Sequence, residues 1–147
     1  MTTLYQQFNA ALQRRLEANL VIAGELVATE VRRNIQKSPR GGKTYVKTNP
    51  NRVHKASAAG ESPATDLGFL VRSIQTEPDL DNLRIRVVSL FTIAPYARRL
   101  EFGDMARGLQ PRPFMFKSLA AKKQKAEDLM KKALNAAIRD MQGADIQ

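Results

Sequence analysis

The feature that most limits what this chain can fold into is an apolar stripe that repeats at helical spacing from its very start. Leu4, Phe8, Leu12, Leu16, Leu20, Ala23, Val27, Val31 and Ile35 recur every three or four positions, and Gly24 is the only glycine or proline between Thr3 and Ile35. Residues three and four apart share one side of a helix, so the stripe predicts a single long amphipathic helix from Thr3 to about Ile35. Its length is well above the usual three or four turns, and part of it is expected to pack against something outside its own small domain. The stripe lacks the regular a/d spacing of a coiled coil.

The periodicity ends abruptly. Half of the 28 residues from 38 to 65 are Gly, Pro, Ser, Thr or Asn, a composition that predicts a long extended loop with neither a helix nor a long strand. A loop of this length in a compact domain is usually functional or ordered by a partner. Beyond it, Thr65 or Asp66 is placed to cap a short helix running to Ile74. Ile74–Glu77 and Leu83–Leu90 flank a Pro-Asp-Leu-Asp-Asn turn, and Leu83, Ile85 and Val87 alternate with Arg84 and Arg86, which predicts an antiparallel hairpin. Pro95 and Gly103 bracket a further short helix, Pro95–Phe102. A last helix begins near Pro113, with Phe116, Leu119, Met130, Ala133, Ala137 and Met141 on one side. The expected fold is α+β: one domain over 1–147, with long N-terminal and C-terminal helices packed on a small antiparallel sheet and a long extended loop.

Composition allows a real core, since 43% of the 147 residues are hydrophobic and 26% charged. The absence of cysteine excludes disulfides and thiolate metal sites. No basic start precedes an apolar stretch, and no run of eighteen apolar residues occurs, so neither a secretion signal nor a membrane span is expected. The excess of the net charge of +10 sits in the loop, where residues 38–65 hold five basic side chains against one acidic, and in the last helix. Arg40, Lys43, Lys47, Arg52 and Lys55 are therefore candidate contacts to a polyanion such as DNA. With Tyr45 as the only aromatic among them, stacking on bases is not indicated, and any such contact would be to the backbone.

No complete catalytic pattern occurs in the sequence. Arg40-Gly41-Gly42-Lys43-Thr44 ends like a phosphate-binding loop, but the position that should hold the first glycine is Lys37, and a helix rather than a strand leads in. His54 is the only histidine, too few for a histidine triad or an ordinary zinc site. Asp79 and Asp81 are explained as turn residues. No catalytic residue, cofactor or metal is expected, and the chain is read as a non-enzyme.

Three strings carry a resemblance. They are Ala56-Ser57-Ala58-Ala59-Gly60-Glu61-Ser62-Pro63-Ala64-Thr65-Asp66-Leu67-Gly68, then Ala94-Pro95-Tyr96-Ala97-Arg98-Arg99-Leu100-Glu101-Phe102-Gly103, then Pro111-Arg112-Pro113-Phe114. In this order, with a long helix before and an Ala/Lys-rich helix after, the chain resembles the tail-completion, or head–tail joining, proteins of the neck of long-tailed bacteriophages. The resemblance implies a virion protein made in the host bacterial cytoplasm. Its partners would be copies of itself in a cyclic oligomer, sixfold being usual, together with head-connector or stopper proteins, tail terminator or tail-tube proteins, and the genomic DNA in the channel. Ser118, where such proteins often carry proline, and Asp104, where they often carry a small hydroxyl residue, depart from the pattern. Tyr96, Glu101, Phe102, Arg112 and Phe114 are the expected subunit or partner contacts, because aromatic and arginine anchors on stiff backbone dominate interfaces. The charge alone supports a second expectation, a non-specific DNA-binding protein acting outside any particle.

Overall fold

The computed structural model describes residues 3–144. Helix α1, Leu4–Gln36, opens with a capping box: Thr3 Oγ1 accepts from the Gln6 N–H, and Gln6 Oε1 accepts from the Thr3 N–H. It stops where Pro39 disfavours helical backbone in the residue before it.

Helix α4, Met115–Ala144, runs antiparallel along α1. Lys122 Nζ lies 3.2 Å from Glu30, Asn34 donates to Ser118 Oγ at 2.9 Å, and Arg15 pairs with Asp140 near the far end. Ala23, Ala133 and Ala137 are nearly fully buried, and their small side chains let the two helices approach closely. α4 of the same chain thus covers part of the apolar face of α1, while Leu20, Ala23 and Val27 also border an open groove.

Two strands, here β3 (Ile74–Asp79) and β4 (Arg84–Ser89), form the expected antiparallel hairpin, in register from Ile74↔Ser89 to Asp79↔Arg84. Asn82 closes its turn by donating to both Asp79 carboxylate oxygens at 3.0 Å. The hairpin lies across α1 at Gly24, where an added Cβ would sit 2.2 Å from Ile85 Cδ1. A glycine in mid-helix costs about 1 kcal/mol relative to alanine; here it admits the strand.

The short helices are α2, Phe69–Ser73, and α3, Ala97–Phe102. The first begins later than the sequence suggests because Gly68 is left-handed, with φ of 78°. Thr65 Oγ1 accepts from the Gly68 N–H within the preceding turn, and Asp66 caps nothing. One buried cluster unites these elements: Val27, Ala28, Val31 and Ile35 of α1, Leu70, Ile74, Ala94, Ala97 and Phe114.

The expected extended loop is partly ordered as a second hairpin, β1 (Thr44–Thr48) paired with β2 (Asn51–Lys55). β-branched and aromatic residues Thr44, Tyr45, Val46, Thr48 and Val53 occupy its strands, and Pro50 falls in the turn, where its missing N–H breaks no ladder bond. The loop over 38–65 is therefore not structureless: it holds two strands of five residues, with its glycines and prolines outside them and Asn51 at the start of β2.

Candidate functional site

The three strings that are far apart in sequence close on one another in space. The Gly60 N–H donates to Pro111 O at 2.9 Å, the Arg112 N–H donates to Leu100 O at 2.7 Å, and Arg112 Nε donates to Ser57 O at 3.1 Å. Glu101 joins the second string to the third. Its carboxylate accepts the N–H groups of Phe114, Met115 and Phe116 at 2.8, 2.9 and 3.1 Å, capping the start of α4 from another element. Such a cap satisfies donors that no helix can satisfy for itself, and the negative charge meets the positive end of the helix dipole. Gly103 makes the turn possible: its φ is 79°, and a Cβ there would lie 2.8 Å from Leu109 O.

This knot divides the five expected contact residues. Phe114 is 1% exposed and belongs to the core, and Glu101 is buried by its capping role, so both are corrected from interface to internal residues. Arg112 is half-buried, with Nε and its backbone N–H engaged inside the chain. Tyr96 and Phe102 remain exposed. Ser118 and Asp104 both make contacts within the fold. Ser118 is fully buried, donating to Phe114 O while accepting from Asn34. Asp104 is held below the usual carboxylate range, chiefly by the hydrogen bond from Arg107, with the charges of Arg107 and Arg99 adding to it.

A cleft of about 340 Å³ separates the β1–β2 hairpin from the body, lined by Lys47, Arg52, His54, Asp66, Phe69 and Tyr96 among others. Asp66 Oδ2 accepts from Lys47 Nζ at 3.0 Å and Arg52 Nη2 at 2.9 Å, and His54 Nδ1 lies 3.7 Å from Oδ1. The Lys47 hydrogen bond, ahead of the Arg52 and His54 charges, lowers the Asp66 pKa. Burial, then the Asp66 charge, raises that of Tyr96. Of the five basic residues expected to meet DNA, Lys47 and Arg52 are thus held by a carboxylate of their own chain. Arg40, Lys43 and Lys55 make no ion pair among the described residues. The Gly41 and Gly42 N–H groups of the phosphate-loop-like string are taken by Glu61 and Ala56 O.

Elsewhere apolar surface stays open. Phe102 and Phe116 meet edge to face at 6.0 Å, yet are 61% and 62% exposed, and Phe91 beside them is 75% exposed. From Phe116 the band continues into a groove of about 500 Å³. Its lining comes from α1 (Leu20, Val27), β4 (Ile85, Val87) and α4 (Leu119, Met130). Helical spacing places Phe116 on the apolar side of the last helix with the buried Ala133 and Ala137, but it does not reveal the groove or the exposed Val46 and Val53 of the β1–β2 hairpin. Their sequence signal is faint: the two valines stand at equal distance from the Asn49–Pro50 turn.

Among the described residues no cluster of three or more His, Asp or Glu is placed to hold a metal ion, and no helix is long and apolar enough to cross a membrane. What the geometry can do is hold a stiff knot and present surfaces around it. Compared with known protein families, curated proteins and solved structures, the chain has no match.

Proposed function

We propose that the chain is a structural protein of the bacteriophage neck, assembling as a ring that joins the head connector to the tail tube around the DNA channel. The observation that carries this reading is that the three strings of the resemblance interlock in one knot while an apolar band at its margin, through Phe91, Phe102 and Phe116, is left uncovered. A monomer gains nothing from aromatic rings in water. Rigid, exposed aromatic side chains are the residues that anchor protein interfaces at low entropic cost.

In this reading the partners are further copies in a closed ring of six, a connector or stopper protein on one side and a tail terminator or tail-tube protein on the other. Contacts between unlike surfaces of identical subunits close into rings. Of the five basic loop residues, Arg40 and Lys43 are the ones offered to DNA phosphates, and such contact is independent of sequence and weakened by salt. The protein works by contact and carries out no reaction.

The test is the composition of virions. Mass spectrometry of purified particles of the source phage should find this chain at ring copy number, and particles made without it should have filled heads lacking tails. Mature, infectious particles devoid of the chain overturn the reading.

A further inference from the structure

The β1–β2 hairpin has two faces of opposite character. Cross-strand partners share a face, so Tyr45, Lys47, Arg52 and His54 lie on one side and Thr44, Val46, Thr48, Asn51, Val53 and Lys55 on the other. The first face is tied to the body through Asp66. The second is thereby turned outward, and on it Val46 and Val53 are each 68% exposed. Paired valines in water, on a small sheet that its own chain holds from behind, form a ready-made projection.

The groove between α1, β4 and α4 is its counterpart. Everything lining it is apolar except Glu127. Everything on the outward hairpin face is uncharged except Lys55. Each surface thus carries a single charge, and the two are of opposite sign. Among the described residues Glu127 pairs with Lys123 alone, at 3.9 Å, and both remain substantially exposed. Lys55 makes no ion pair among the described residues, and the Glu61 carboxylate accepts from the N–H groups of Gly41 and Ala58.

No hairpin residue lines the groove of its own chain. We infer that the outward face of the β1–β2 hairpin seats in the α1–β4–α4 groove of a second copy, Val46 and Val53 filling the apolar trough and Lys55 meeting Glu127. The two surfaces are unlike, so each copy offers one and accepts the other, and the contact is heterologous and propagates around a ring. The inference rests on the self-assembly proposed above and names the contact that makes it.

The absence of native cysteine makes the test direct. A Val53→Cys chain is mixed with a Leu119→Cys chain and oxidised, and the mixed cross-link is compared with the two like-with-like cross-links. The mixed product should dominate by about tenfold, and Val46→Asp added to the Val53→Cys chain should reduce it by about as much. Lys55→Glu should weaken it, and Glu127→Lys in the partner should restore it. These positions are exposed or at a groove rim, and circular dichroism confirms that each variant folds. A mixed product no more abundant than the like pairs overturns the contact. So do particles containing the chain that assemble undiminished with Val46→Asp and Val53→Asp together, an outcome that leaves the neck assignment standing. A dominant mixed cross-link in a chain absent from virions upholds the contact and removes the neck assignment instead.

Discussion

The carboxylate of Glu101 takes three backbone N–H groups at the start of α4 in a place only 7% exposed. Removing it strands buried donors, which is costlier than losing an exposed bond, because water cannot replace the partner. Glu101→Ala should therefore lower the unfolding free energy of the purified protein by about 2–3 kcal/mol, read from the urea midpoint. Glu101→Gln, which keeps one acceptor oxygen, should lose less. The loss is expected whether or not the protein is assembled, which separates a capping residue from an interface residue. Arg112 belongs to the same logic. Its side chain reaches Ser57 O, so it ties the start of the 56–68 string to the segment before α4. Phe102, one residue beyond Glu101 on the same short helix, turns the other way and stays in solvent.

Among the elements, the β1–β2 hairpin depends most on a single side chain. Asp66 holds it through Lys47 and Arg52, with His54 and Tyr96 bordering the same cleft. Because the folded pKa of Asp66 is depressed, the contribution of these pairs is fully present above the ordinary aspartate value of about 3.9 and is lost as pH falls through the lower folded value. The hairpin should stay docked on the body, read from nuclear Overhauser contacts across the cleft, above the ordinary aspartate value of about 3.9 and be released below it. Asp66→Asn should release the hairpin at every pH while changing global stability by no more than about 1 kcal/mol, as is usual for partly exposed ion pairs. An unchanged hairpin spectrum in that variant would show that something other than the carboxylate holds it. The long helices behave differently, for α1 and α4 are joined by buried alanines and by ion pairs spread along their length.

For the molecule as a whole, core and arm are separate. The buried cluster draws on α1, α2, β3, the segment before α3, α3 itself and the start of α4, and includes no residue of the β1–β2 hairpin. Replacing residues 44–55 with a short Gly/Ser linker should leave one cooperative unfolding transition, with a melting temperature lowered by about 4 °C or less. The same deletion should abolish the self-association proposed above, read by analytical ultracentrifugation. A broad or lost transition would mean that the arm is part of the folded unit.

Reading the chain in one dimension succeeds where the signal is local. The extent of α1, the Ile74–Ser89 hairpin, the stop at Gly103 and the Asp79–Asn82 turn all follow from periodicity, capping and turn chemistry within a few residues. These determined the α+β composition of the fold. Tertiary structure alone decided which residues of the three strings turn inward. Glu101 faces N–H groups thirteen to fifteen positions away, and Arg112 binds a carbonyl 55 positions back. It also decided that Asp66 serves the hairpin and not a helix, and that α4 and β4 leave a groove open over α1. The reason is physical. Local rules report how a segment prefers to fold, whereas burial and long-range hydrogen bonds exist only after distant segments have met.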